Sequence, residues 1–270
     1  MNEARVDLLA RRLLDAYDGA FCIALPSSEA GGLTITEAYA VAERLRVLRV
    51  ARGERTCGWK IGFTNRTLWE RYGVDRPMWA PVYEHTVRAD ARDAHLSLQG
   101  LSQPRIEPEI VFGLRAAPRA GMTLAELHAC IDWVAHGFEI VHTHFENWRF
   151  TAADTAADFA LHGALFIGTR VPALPWSTLA EDLAALRVEL LCDGALKDQG
   201  EGRRVLDGPL QALQALVDSM AAITPHWHVA AGDVVTTGTL SDAWPLAPGQ
   251  RWTTRLSEPR LSALALETAP

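Results

Sequence analysis

The chain has 270 residues, 49% hydrophobic and 22% charged, with a formal net charge of −7 and a pI near 5.7. That is enough apolar material for one large core or a main domain with a smaller attachment, and the acidic balance gives a nucleic-acid role no electrostatic support. Cys22, Cys57, Cys130 and Cys192 form neither a CxxC pair nor a zinc spacing, and no apolar stretch is long enough to span a bilayer. The segment Met1-Asn2-Glu3-Ala4-Arg5-Val6-Asp7 lacks the basic-then-apolar plan of a signal peptide, so a reducing, cytoplasmic setting is expected.

Val6, Leu9, Leu13 and Tyr17 fall on one helical stripe and predict an opening helix. A Gly/Ser/Pro-rich loop follows around 26–32. Thr34 with Glu37 makes a capping box, and Ala38, Val41, Leu45 and Leu48 continue on one face to a stop near Gly53. Trp59, Ile61 and Phe63 then alternate with Lys60 and Gly62, which predicts a strand whose lysine points to solvent or into a site. Gly58 and Gly62 flank it closely, leaving room for another backbone or a ligand.

From about residue 80, short β-rich runs dominate: 106–114, 137–142, 164–168, 188–192 and 233–237. Asp193-Gly194 is a hairpin signal. Two helices interrupt them. One is capped by Thr123 and Glu126 and carries Leu124, Leu127, Ile131 and Val134; the other starts at Pro209 and carries Leu210, Leu213, Val217 and Met220. Strands and helices do not alternate regularly, which argues against a doubly wound sheet or a βα barrel. The expected class is α+β. A small helical N-terminal region, residues 1–75, carries the Lys60 strand, and a β-rich mixed-sheet domain fills 76–270. Neither a GxGxxG after a strand nor a P-loop is present.

Chemistry concentrates in Pro104-Arg105-Ile106-Glu107-Pro108-Glu109-Ile110-Val111-Phe112. In an extended chain Glu107 and Glu109 point to the same face. Two ionised carboxylates that close repel, and a hard divalent cation such as Mg²⁺ or Mn²⁺ relieves them. The same pair also fits a solvent-facing edge strand, which Pro108 would suit. Glu139 lies in a third apolar run, Gly137-Phe138-Glu139-Ile140-Val141. Alone it could simply pair with an arginine; with the other two it makes an open oxygen site. Lys60 is the cationic companion, able to act as acid, base or anion clamp. His142 with His144, and His226 with His228, are competing metal ligands of weaker pattern. Neither a GxSxG elbow nor a cysteine in a catalytic context appears, which leaves metal-assisted chemistry on an enolate or a polarised carbonyl.

These residues stand in an order that resembles the fumarylacetoacetate hydrolase superfamily, in its 2-keto-4-pentenoate hydratase and 4-oxalocrotonate decarboxylase branch. The marks run from about residue 37 to 256. They are Gly58-Trp59-Lys60-Ile61-Gly62-Phe63-Thr64, Gly73-Val74 with Pro77, Glu107-Pro108-Glu109, Glu139-Ile140-Val141, Ala157-Asp158, Gly163, Gly232-Asp233 through Thr239, and Pro248-Gly249. The resemblance implies that superfamily's β-rich fold, with Glu107, Glu109 and Glu139 holding Mg²⁺ or Mn²⁺ and Lys60 in the active site. It implies substrate contacts from Thr239, Asp158 and His162.

It also implies a homo-oligomer and a small anionic 2-oxoacid as substrate. The expected reaction is hydration of a 2-hydroxydienoate. Decarboxylation of a 4-oxalocrotonate-like diacid, acylpyruvate C–C hydrolysis and a structural partner role are the alternatives. Departures are local. Where some hydratases carry an acid, this chain reads Pro77-Met78-Trp79, and Glu84 is the substitute considered. His142-Thr143-His144 replaces Asp-Ser-Arg, and Phe159 to His162 replace the residues after the aspartate.

Overall fold

The computed structural model describes residues 1–270. Helices α1 (Glu3–Gly19) and α2 (Ile35–Ala51) come first, capped as their sequences require: the Asn2 side chain accepts from the Arg5 N–H, and Thr34 and Glu37 close a capping box. Then follow β1 (Thr56–Gly62), α3 (Trp69–Tyr72), β2 (Met78–Tyr83), β3 (Val87–Arg88), β4 (Asp93–Ser97) and β5 (Arg105–Leu114). The middle of the chain holds α4 (Leu124–Cys130), β6 (Ile131–Val141), α5 (Ala152–Ala157), β7 (His162–Ile167), β8 (Val171–Pro172) and α6 (Leu179–Ala185). The last third is β9 (Arg187–Cys192), β10 (Ala195–Glu201), α7 (Pro209–Ile223), β11 (Val234–Thr239), β12 (Trp244–Pro245), β13 (Arg251–Leu256) and β14 (Ala265–Ala269).

Two mixed sheets result, in accord with an α+β class. The larger runs β2-β1-β11-β5-β6-β7-β3, with β12 added to β5 and β8 to β6; the smaller runs β10-β9-β13-β14-β4. One apolar cluster joins Leu9, Leu13, Val41 and Leu45 of the first helices, and Leu213 and Leu216 of α7, to Trp59, Ile61 and Phe112 of the larger sheet. A second sits between the sheets, where Ile106, Phe138 and Ile140 meet Leu190, Trp252 and Leu266. The boundary drawn from sequence at residue 75 falls between β1 and β2, which are antiparallel neighbours in the larger sheet.

Two expectations need correction. The helix begun at Thr123 does not reach Val134: it stops at Cys130, and Ile131 opens β6. Pairing of β6 with β5, β7 and β8 takes those β-branched and aromatic positions into the sheet, and tertiary pairing overrides helical spacing. The edge-strand reading of β5 also fails, because β5 is paired on both sides. Pro108 is tolerated there because β11 pairing ends at Glu109 and β12 pairing begins at Ile106, leaving Pro108 in the gap.

Candidate active site

Strand register builds the site. Glu107 on β5 stands directly opposite Glu139 on β6, and Glu109 follows two residues along on the same face. On the other side of β5, the β11 register slips between Thr236 and Thr239, which brings Thr239 opposite Glu109. Lys60 on β1 is paired with Thr236 of β11. The three glutamates thereby place one carboxylate oxygen each within 4.8 Å of one another. Glu109, Glu139 and Lys60 are buried. Glu107 is half-buried and, with Lys60 and Thr239, lines a cavity of about 510 Å³.

The lysine and the glutamates are wired unevenly. The Lys60 ammonium donates to the Ala160 carbonyl at 2.9 Å and lies 3.4 Å from Glu139 Oε2. The other oxygen of Glu139 accepts from His162 Nδ1 at 2.7 Å. Glu109 Oε2 accepts from the Thr236 hydroxyl and, at 2.8 Å, from the Gly238 N–H. Gly238 has φ near 105°, and a Cβ there would lie 2.1 Å from Thr64 Oγ1, so only glycine fits.

Burial pushes the Glu107 carboxyl up to about 7; Lys60 opposes this and Glu139 adds to it. Burial, with the charges of Glu139 and Glu107, raises Glu109 well above the carboxylate range. Burial also works against ionised Glu139, but the ammonium of Lys60 and the imidazole of His162 outweigh it and hold that group low. Lys60 is raised: burial disfavours its charge, and the three carboxylates more than compensate.

Two buried oxygens, Glu109 Oε1 and Glu139 Oε2, have no hydrogen-bond partner. Buried carboxylate oxygens seldom go unpaired. The upward shifts of Glu107 and Glu109 show that the protein alone does not compensate three ionised carboxylates; fully ionised, they would outweigh the Lys60 ammonium by two charges, which one divalent cation would neutralise. An all-oxygen donor set of this kind fits a hard cation.

Not every residue singled out from sequence reaches the cavity. Thr239 is on its wall, its hydroxyl donating to the Ser241 carbonyl at 2.9 Å. Asp158 and His162 do not line it. Asp158 lies behind, accepting from the N–H and Nδ1 of His144 at 3.1 and 2.6 Å. His162 also lies behind, bridging Glu139 to the Thr86 hydroxyl at 2.9 Å. His142 is buried outside the cavity, its Nδ1 accepting from the Ser102 N–H at 3.3 Å. His226 and His228 are exposed on the loop after α7. Neither histidine pair joins a group of metal-ligating geometry, whereas the glutamates do. Glu84 is no substitute acid: it pairs with Arg55 at 2.6 Å on the surface, and Met78 is packed in the core.

Sequence reasoning missed the Ala160 carbonyl as partner of Lys60, and Thr236 and Gly238 as donors to Glu109. It also missed Arg105, half-buried on the cavity wall and stacked 4.0 Å over Trp148. Arg105 lies two residues before Glu107, so the period-2 argument that found the glutamates could have found it.

No family model matches the chain. It is 32% identical over 244 residues to 2-keto-4-pentenoate hydratase of Paraburkholderia phymatum, covering 88% of each chain. The chain belongs to the 2-keto-4-pentenoate hydratase and 4-oxalocrotonate decarboxylase branch of the fumarylacetoacetate hydrolase superfamily. Within that family it is also similar to 2-hydroxyhexa-2,4-dienoate hydratase of Comamonas testosteroni, with 29% identity over 248 residues and 92% of each chain covered. Among solved structures it resembles 4-oxalocrotonate decarboxylase from Pseudomonas putida G7, complexed with magnesium and adipate. That match has a TM-score of 0.91 at 26% identity, over 99% of this chain and 98% of the other. Family members named for hydration and for decarboxylation thus share this fold.

Proposed function

We propose that this chain is a divalent-cation-dependent lyase that hydrates a small 2-hydroxydienoate to a 4-hydroxy-2-oxoacid in the breakdown of aromatic-type compounds. The observation that carries the reading is the convergence of Glu107, Glu109 and Glu139 beside Lys60, with Lys60 and Glu107 on the cavity wall, Glu109 and Glu139 buried behind it, and two buried carboxylate oxygens without a hydrogen-bond partner. Glu107, Glu109 and Glu139 would hold Mg²⁺ or Mn²⁺. Bound there, the cation supplies Lewis-acid polarisation of the oxoacid head and stabilises charge that develops on its oxygen.

The chain's own residues do the rest. Lys60 is kept protonated by the surrounding carboxylates and is held by Ala160 at the cavity wall. It serves as a fixed proton donor and hydrogen-bond donor to the reacting oxygen. Thr239, also on the cavity wall, orients the substrate carboxylate. Phe63, Tyr72, Phe150 and Trp244 give the cavity an apolar side for the hydrocarbon tail and limit water to what the reaction uses.

One observation favours a second reading, decarboxylation of a vinylogous 2-oxo diacid. Besides Glu107, the cavity wall carries one carboxylate, Asp242, which sits at the exposed mouth paired with Arg204 at 2.8 Å. A proton relay that activates water ordinarily uses a second acid inside the site; release of CO₂ does not need one. Parallel assays on purified enzyme with Mg²⁺ or Mn²⁺ separate the two. Loss of dienol ultraviolet absorbance without CO₂ from a monoacid supports hydration; CO₂ release from a diacid supports the second reading. Either activity should fall by about 10²–10⁴-fold in Lys60→Met. Wild-type turnover in that variant would refute both.

A further inference from the structure

We propose that His144 and Asp158, which touch neither the cavity nor the glutamates, form a clamp that positions Lys60 through the turn 159–161. The inference rests on the reading of Lys60 as the proton-carrying group.

The turn is unusual in its backbone. Phe159, Ala160 and Leu161 have φ of 54°, 45° and 68°, three successive residues with side chains in the left-handed region. Such residues visit that region singly and at a cost, so the surroundings must enforce it. The enforcement is visible. The Leu161 N–H donates to the Asp158 carbonyl at 2.7 Å, and the His142 N–H donates to the Leu161 carbonyl at 2.9 Å. The Asp158 carboxylate is fully buried and takes two hydrogen bonds from one residue, the N–H and the Nδ1–H of His144. His144 is in turn tied to the chain before α2, its carbonyl accepting from the Ile23 N–H at 2.7 Å.

What the turn delivers is the active-site geometry. Its middle residue, Ala160, supplies the carbonyl that holds the Lys60 ammonium, and the residue after it, His162, holds Glu139. The two groups meet 3.4 Å apart. A carbonyl aimed at Lys60 requires the left-handed turn, and the turn is anchored at its start by Asp158. Of the two clamp residues, Asp158 stands in Ala157-Asp158, which matches the family pattern, and His144 in His142-Thr143-His144, which departs from it. Asp158 and His144 are therefore positioning residues, not catalytic ones.

The chain has only two lysines, Lys60 and the exposed Lys197. Protein labelled with ¹⁵N,¹³C-lysine thus gives one reporter of the clamp and one internal control by NMR. In His144→Ala the Lys60 side-chain resonances should move or broaden while those of Lys197 stay. The kcat should fall about 10–100-fold, the range for partners that orient a functional group, with KM changed less than about threefold, since His144 itself does not line the cavity. His144→Asn places an amide donor where Nδ1 lies and should restore both the resonance and kcat.

A folded His144→Ala protein with an unmoved Lys60 resonance overturns the proposal, whether or not turnover drops. Should that variant fail to fold, Asp158→Asn carries the same two readouts with the same criteria. The resonance is read without substrate, so a wrong choice of reaction and a wrong clamp fail separately.

Discussion

Arg49 and Glu109 are both sealed from water, yet one is fully partnered and the other is not. Arg49 donates to Glu54 at 2.7 Å, and its guanidinium stacks 3.7 Å over Tyr83 and 4.5 Å over Tyr17. The charge is balanced within the protein, and the group ties α2 to the start of the sheet. Glu109 shares its surroundings with two more carboxylates and a single lysine, and one of its oxygens has no partner. Burial of charge alone does not mark a functional site; burial left uncompensated does.

That contrast can be broken at either end. Arg49→Met should cost about 3 kcal/mol of stability, the low end for breaking a buried pair, because Glu54 keeps Arg52, while cation binding stays at the wild-type level. Urea denaturation with and without Mn²⁺ checks both. A loss of cation affinity in that variant would join the two regions that the structure keeps apart.

His136 sharpens the comparison by pH. It is buried between the Glu109 carbonyl and the Thr254 hydroxyl, and burial pulls its imidazole down to about 4. In the unfolded chain it titrates near 6.5, so between about 6.5 and 4 the unfolded state binds more protons. Its contribution is whole above about pH 6.5 and is lost as pH falls toward 4, by about 3 kcal/mol. The stability difference between wild type and His136→Asn should shrink by that amount across the window. A constant difference would contradict a neutral, buried His136.

The smallest effect has the opposite sign. Glu109→Gln removes a carboxyl whose ionisation is opposed by burial and by Glu139 and Glu107, and keeps an acceptor for Thr236 and Gly238. In chelator-treated protein it should raise stability by about 1–2 kcal/mol. A destabilised variant would mean that the carboxylates are balanced without a cation.

Much of the site was legible in local pattern. The two-residue spacing of Glu107 and Glu109, an acid inside the apolar run at Glu139, and a lysine flanked by Gly58 and Gly62 all follow from strand periodicity and the cost of buried charge. What was not legible depends on register and on backbone conformation. Nothing local to Thr236 says that β11 slips by the amount that turns it and Gly238 toward Glu109. Asp158 and His162 were read as facing substrate because their distance from the cavity is decided by three left-handed residues, none of them glycine. In the fold, the first two helices and α7 carried caps and stripes strong enough to read. The short α5 and α6 did not stand out. The start of β6 was hidden because Ile131 and Val134 are three apart, a helical spacing, and the register shift between the Leu114–Ile131 and Gly113–Trp133 pairs that accompanies their packing in one core cluster leaves no local signal.

The central claim is that three glutamates converge to hold one divalent cation, and titration of Mn²⁺ followed by electron paramagnetic resonance tests it directly. The account predicts one bound ion per chain in the wild type and loss of that binding in the Glu109→Gln, Glu139→Gln double variant. Equal stoichiometry and affinity in a folded double variant would contradict it.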